Sequence, residues 1–162
     1  MNKFLYISMI ALCVTNLNAR TGETPTILAF GDSITSRSDS YRSVLVPALT
    51  AKQLAFEFIG PNKDKISAHA GYGGKNTKYL LSISKDVYSK YPADIVMFHS
   101  GHNSFSEDKP VQGIVRDTIN DKVHPNPSGA KKMAAKWLDA LLPLLEKNDA
   151  KKARKATDKP EQ

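Results

Sequence analysis

Several polar segments spread along the chain carry the residue types that acyl-transfer chemistry requires. Ser33 offers a hydroxyl, which becomes a nucleophile when a neutral imidazole such as that of His124 removes its proton. Asp121, on the same segment as His124, offers a carboxylate that can orient the imidazole. Amides at Ser33, Gly74 and Asn103 offer donors for the oxyanion that forms when an ester carbonyl is attacked. These residue types together predict a site for acyl transfer through a serine hydroxyl.

Such a site needs elements that bring distant residues together. Three short apolar runs have the length and composition of buried strands, and a polar loop follows each of them: residues 27–30, 56–59 and 95–98. The carboxyl ends of parallel strands meet at one edge of a sheet, where open α/β sheets bind ligands. We therefore expect Ser33, Gly74 and Asn103 to lie along that edge.

Apolar residues at helical spacing predict helices between and after these strands: 40–54, with Pro47 as a kink or first turn, 77–88, with Thr77 as its cap, and 126–145, with Asn126 as its cap and Pro127 at its first position. The alternation of strands and helices predicts an α/β fold with a parallel sheet. The chain holds enough residues for about three such strands.

The polar segments resemble, in order, the four sequence blocks of the SGNH (GDSL-type) hydrolases: Gly31-Asp32-Ser33-Ile34, the glycine of Gly73-Gly74, Gly101-His102-Asn103 and Asp121-Lys122-Val123-His124-Pro125. Neighbouring residues are similar to the carbohydrate-esterase branch, secreted enzymes that remove acetyl groups from polysaccharides: Tyr41-Arg42, His69, His99 and Asn126-Pro127-Ser128-Gly129. The resemblance covers about residues 26–145.

This resemblance implies a flavodoxin-like three-layer sandwich and a site without cofactor or metal. It implies Ser33 as nucleophile, His124 as base, Asp121 as its partner, and an oxyanion hole formed by Ser33, Gly74 and Asn103. The implied substrate is a small ester or an acetylated carbohydrate.

Some positions allow other interpretations. Ser33 or Thr35 could simply cap a helix. Gly71 and Gly73 compete with Gly74 for the oxyanion position. His99 and His102 have the spacing of a metal pair, but no third ligand is evident, so no metal site is predicted. His69 is interpreted as a hydrogen-bonding residue of a glycine-rich loop.

The segment between Asn103 and His124 is short for this family. Two crossover units of roughly 30 residues each are absent near 104–120, and we attribute this shortening to a deletion or a faulty gene model. The third strand would then present an unpaired apolar edge, on which a second copy could pair. The alternative function is therefore a non-catalytic remnant or a carbohydrate-binding pseudoenzyme.

The two ends of the chain differ in composition from the predicted domain. Residues 1–19 have the features of a secretory signal peptide, which predicts a secreted or periplasmic protein without a stable membrane anchor. A lipid anchor on Cys13 is the alternative. Residues 146–162 are charged and rich in alanine and lysine, and we expect them to be disordered. The net charge of +7 is spread along the chain, so no nucleic-acid partner is predicted.

Overall fold

The structure is a computed structural model and describes residues 10–13, 24–104, 119, 121 and 123–157. Its strands are β1 (Ile10–Cys13), β2 (Thr26–Gly31), β3 (Glu57–Ile59), β4 (Asn62–Lys63), β5 (Ala68–Gly71) and β6 (Ile95–His99). Its helices are α1 (Ser33–Ser36), α2 (Arg42–Ala51), α3 (Thr77–Lys90) and α4 (Pro127–Thr157), with a 3-10 turn at His102–Ser104.

Strand β2 is the centre of the sheet. On one side it pairs in parallel with β6, and on the other it pairs in parallel with β3 along its first half and with β5 along its second. Strands β1 and β4 add antiparallel pairings to β6 and β5. The predicted α/β class with a parallel sheet is confirmed, and the three predicted runs are β2, β3 and β6.

The predicted number of strands was too low, because the described residues form six strands and not about three. Strand β5 lies in the segment that was interpreted as a glycine-rich loop. Its residues are alanine, histidine, alanine and glycine, so it lacks the apolar run that identifies a buried strand from sequence. The presumed shortening near 104–120 falls mostly on residues 105–118 and 120, which lie outside the described residues.

The predicted unpaired edge of β6 was wrong for the chain described here. Ile10–Cys13 pairs along it, in register from Ile10 opposite His99 to Cys13 opposite Val96. An open edge presents main-chain donors and acceptors that an extended apolar segment can satisfy. Because β1 falls within the predicted signal peptide, cleavage after Ala19 would remove this strand. That cleavage stays a prediction.

Helices cover both faces of the sheet and give it three layers. Alternate residues of β2 point to opposite faces, with Ile27 in the cluster that includes Leu45 of α2 and Trp137 of α4. Leu28 lies in the second cluster, with Leu80 of α3. Trp137, Leu45 and Leu80 are fully buried, so each helix is held to the sheet by its apolar side.

Helix α4 begins as predicted and ends later than predicted. The Asn126 side-chain oxygen accepts a hydrogen bond from the Gly129 N–H at 2.9 Å, and Pro127 is the first helical residue. Disorder was expected from residue 146, but the helix continues to Thr157. Alanine and lysine are good helix formers, and extending an existing helix costs far less than starting one. Residues 158–162 lie outside the described residues.

The other long helices differ from prediction in detail. Helix α2 includes Pro47 in its interior and does not begin there. Helix α3 is capped by Asn76, whose side chain accepts from the Tyr79 N–H at 3.0 Å, and not by Thr77. Within the described ranges, every helix is too short or too polar to cross a membrane.

Candidate active site

A tight turn at the carboxyl end of β2 positions Ser33. A Cβ on Gly31 would lie 2.2 Å from the His99 carbonyl oxygen, so only glycine fits where β2 and β6 approach each other. Asp32 then caps α1, its carboxylate accepting from the Ile34 N–H at 3.0 Å. The cap is therefore Asp32, and neither Ser33 nor Thr35 serves as one. Ser33 is the first residue of α1, at the predicted edge of the sheet.

The loop before α4 positions a carboxylate and an imidazole. Asp121 Oδ1 accepts hydrogen bonds from the backbone N–H groups of Val123 at 3.0 Å and of His124 at 2.9 Å. Its Oδ2 lies 2.6 Å from His124 Nδ1. One carboxylate thus fixes both the backbone turn and the orientation of the ring.

The hydroxyl of Ser33 meets this loop. His124 Nε2 lies 2.8 Å from Ser33 Oγ, although the two residues are far apart in the sequence. The hydrogen bond from His124 holds the pKa of Asp121 well below its usual range, and the N–H groups of His124 and Val123 act in the same direction. An ionised Asp121 favours a proton on Nδ1, which leaves Nε2 free to accept the Ser33 hydroxyl proton. The structure brings the three predicted residues together in one hydrogen-bonded chain.

The segment from Gly71 to Gly74 contains the three competing oxyanion positions, Gly71, Gly73 and Gly74. The Gly71 N–H donates to His69 Nδ1 at 3.0 Å, and the Tyr72 N–H donates to the Gly31 carbonyl oxygen at 2.9 Å. The Gly71 amide is therefore occupied, which argues against Gly71 as the oxyanion donor, and the choice of Gly74 over Gly73 stays a prediction. Gly74 lies in an exposed turn with φ of +69°, and no atom lies within 4 Å of where its Cβ would stand.

Asn103 is tied to the same segment. Its side-chain amide donates to the Lys75 carbonyl oxygen at 3.0 Å, next to Gly74, and Nδ2 carries a second hydrogen for another acceptor. The Ser33 N–H has no acceptor inside the helix because it lies in the first turn of α1. Asn103 and the loop of Gly74 are thus neighbours.

His69 and His99 are buried in the protein and lie outside the hydrogen-bonded chain of Ser33, His124 and Asp121. His69 is buried, and burial, followed by the nearby Arg42 charge, lowers its pKa. Its Nδ1 accepts from Gly71, so the neutral ring carries its proton on Nε2. His99 is also buried, with Nδ1 3.8 Å from the Asp32 carboxylate. In the described part of the chain, no cluster of three or more potential ligands is placed to hold a metal ion.

Two acidic residues near the site were not identified from sequence. Asp39 forms an exposed ion pair with Arg37 at 2.6 Å, and this hydrogen bond lowers its pKa. Asp64 forms a 2.6 Å pair with Arg42, which is fully buried. Only the pair of Arg37 and Asp39 could have been predicted from the sequence, because these two residues are close together in it. Arg42 and Asp64 come together through the fold.

A methyl group at Gly71 is expected to collide with the backbone of α1, the helix that carries Ser33. A Cβ there would lie 2.4 Å from Ser36 N and 2.5 Å from Ser36 Cα, so the backbone of α1 must move. Gly71→Ala should lower the free energy of unfolding by about 1–3 kcal/mol, measured by urea denaturation. Gly73→Ala is the matched control, because its Cβ would lie 3.9 Å from Ser36 Oγ. Equal stability of the two variants would contradict the contact.

The elements described above define an α/β protein with a parallel-rich sheet between helices. A solved structure with the same fold is the Clostridium thermocellum family 3 carbohydrate esterase, which has a TM-score of 0.64 and 15% sequence identity to this chain. The match covers 76% of this chain and 98% of that chain. No family model and no curated protein matches the sequence. At this identity the likeness establishes the fold.

Proposed function

We propose that this protein is an SGNH-type serine esterase that hydrolyses small esters, in particular O-acetyl groups on carbohydrate. The observation that carries the proposal is the chain of contacts from Ser33 Oγ to His124 Nε2 at 2.8 Å and from His124 Nδ1 to Asp121 Oδ2 at 2.6 Å. Four sequence blocks in family order and the fold of a carbohydrate esterase support the same conclusion.

The chemistry follows from these contacts. His124 Nε2 takes the hydroxyl proton as Ser33 Oγ bonds to the ester carbonyl carbon, and Asp121 stabilises the resulting imidazolium. The carbonyl oxygen becomes an oxyanion, which receives hydrogen bonds from the Ser33 amide, the Gly74 amide and the Asn103 side chain.

Collapse of this intermediate breaks the bond to the alcohol oxygen, which receives the proton from His124. The alcohol leaves, and the acyl group remains on Ser33. Water then attacks the acyl-enzyme while His124 Nε2 takes a proton from it. The second collapse releases the carboxylic acid and returns the proton to Ser33 Oγ. No metal or cofactor is required in either half of the reaction.

We also propose that the protein acts outside the cytoplasm, as the apolar run within residues 1–19 suggests. An acetylated polysaccharide is a substrate that such a location makes accessible. The side chains of Asp39 and Arg37 interact electrostatically with His124 and Asp121, so charged groups surround the proposed catalytic residues.

The test is hydrolysis of p-nitrophenyl acetate and of an acetylated oligosaccharide by the purified chain, beside Ser33→Ala. We expect turnover of both substrates by the wild type and its loss in the variant. A folded wild-type chain that releases no acetate, or releases it equally after Ser33→Ala, would contradict the proposal. That result would favour the non-catalytic remnant suggested by the short segment between Asn103 and His124.

A further inference from the structure

Helix α1 carries Ser33 but contains only one turn, Ser33–Ser36. A single turn is not stable in water by its own hydrogen bonds, because fixing its backbone costs more than those bonds return. Contacts with the rest of the protein must therefore hold it. The Gly71 contact supports one side of α1. The side chain of Arg42 makes a further contact that holds α1 in place.

Arg42 binds the carboxyl end of α1. Its Nε donates to the Thr35 carbonyl oxygen at 2.7 Å, and its Nη2 lies 3.3 Å from the Ser36 carbonyl oxygen and 3.5 Å from that of Arg37. The last carbonyls of a helix lack partners within the helix and carry partial negative charge. One planar cation thus contacts the Thr35 and Ser36 carbonyls at the end of the turn that carries Ser33.

The same guanidinium also binds the segment that leads into β5. Nη2 lies 2.6 Å and Nη1 3.3 Å from the two Asp64 oxygens, and Nη1 donates to Ser67 Oγ at 2.9 Å. Asp64 Oδ1 also accepts from the N–H groups of Ile66 and Ser67 at 2.9 and 3.0 Å. The carboxylate is therefore fixed by its own loop before it binds Arg42.

The pair is shielded from water on the arginine side. The Arg42 side chain has no exposed surface, whereas 23% of the Asp64 side chain is exposed. A buried guanidinium with partners on both sides has little freedom to move. Movement of this cation would displace the end of α1, and Ser33 with it.

We propose that Arg42 is a positioning residue, which joins the carboxyl end of α1 to Asp64 and so holds Ser33 Oγ within hydrogen-bond distance of His124 Nε2. The inference rests on the proposed function, since it assigns a role in that reaction. Lysine cannot replace arginine here, because an ammonium group lacks the planar fork that reaches Thr35, Ser36 and Asp64 together.

The first test is steady-state kinetics of Arg42→Lys on p-nitrophenyl acetate. We expect kcat per folded molecule to fall about 10-fold to 100-fold, because a displacement of about 1 Å at the reacting atom has effects of this size. KM should change much less, since Arg42 is buried and does not touch the ester. Unchanged kcat would overturn the proposal.

Asp94→Asn is the matched control for a purely structural effect. Asp94 accepts hydrogen bonds from the Thr26 N–H and Oγ, both at 2.8 Å, at the opposite end of β2 from Ser33. Its substitution should lower the urea midpoint and leave kcat per folded molecule unchanged. An equal loss of kcat in Asp94→Asn and Arg42→Lys would assign Arg42 to general stability and overturn the positioning role.

Ser67→Ala is a second variant, and amide hydrogen exchange of α1 is a second measurement of the same contact. Should Arg42→Lys fail to fold, Ser67→Ala removes one partner of the guanidinium and should lower kcat by a smaller factor. Amide hydrogen exchange of Ser36 and Arg37, which donate to the Asp32 and Ser33 carbonyls, should be faster in either variant. An inactive wild type would refute the proposed function alone, and unchanged exchange would refute the positioning role.

Discussion

His124→Ala is expected to lower kcat for acetyl ester hydrolysis by about 10⁴-fold to 10⁶-fold, with little change in KM. In the proposed reaction the imidazole takes the Ser33 proton during acylation and a proton of water during deacylation, so its removal should affect both halves. Its Nε2 lies 2.8 Å from Ser33 Oγ, a distance at which direct proton transfer is possible. The measurement is initial rates with p-nitrophenyl acetate at saturating substrate.

His69→Asn provides the matched control for this effect. His69 is a buried histidine whose Nδ1 accepts from the Gly71 N–H, and the asparagine side-chain oxygen can accept the same bond. This variant should keep kcat within a few-fold of the wild type. Turnover that survives in His124→Ala and disappears in His69→Asn would show that the base had been assigned to the wrong histidine.

Asp64→Asn is expected to lower the free energy of unfolding by about 3–5 kcal/mol at neutral pH. The substitution leaves the Arg42 cation buried without an opposite charge, which is among the costliest single changes in a protein. Asp39→Asn is the control, because its ion pair with Arg37 is exposed and should contribute about 0–1 kcal/mol. Urea denaturation measures both.

The same pair makes a prediction about pH. Burial alone would raise the pKa of Asp64, but the Arg42 hydrogen bond and the N–H groups of Ser67 and Ile66 lower it well below its usual value of 3.8. A depressed carboxyl pKa contributes stability that is complete above the unfolded value and is lost as pH falls toward the folded value. The difference between wild type and Asp64→Asn should therefore shrink at acidic pH. A difference that grows on acidification would contradict the pairing.

The parts of the fold that the sequence predicts correctly depend on local patterns. Strands β2, β3 and β6 are short apolar runs, and the start of α4 is marked by Asn126 and Pro127. Local patterns alone do not predict that Ser33, Asp121 and His124 lie together, and this prediction used two further arguments. Parallel strands collect their carboxyl ends at one edge, and the blocks follow a known family order.

The remaining features depend on contacts that no local pattern encodes. Strand β5 contains no large aliphatic or aromatic hydrophobic residue, so its parallel pairing with β2 identifies it and its sequence does not. The pairing of β1 with β6 joins a predicted leader to the middle of the chain. The buried pair of Arg42 and Asp64 likewise connects separate segments, and neither residue's neighbours in sequence indicate it. The hydrogen bond that occupies the Gly71 amide is likewise visible only in the folded structure, because it depends on the orientation of the His69 ring.

The most direct measurement of the central claim is mass spectrometry of the purified chain after treatment with a serine-directed phosphonate ester. Attack by an activated hydroxyl would add one phosphonyl group per molecule, and peptide fragmentation should place it on Ser33. Ser33→Ala and His124→Ala should both remain unlabelled, although only the first lacks the hydroxyl. A folded wild-type chain with no adduct, or with the adduct on another residue, would contradict Ser33 as the nucleophile.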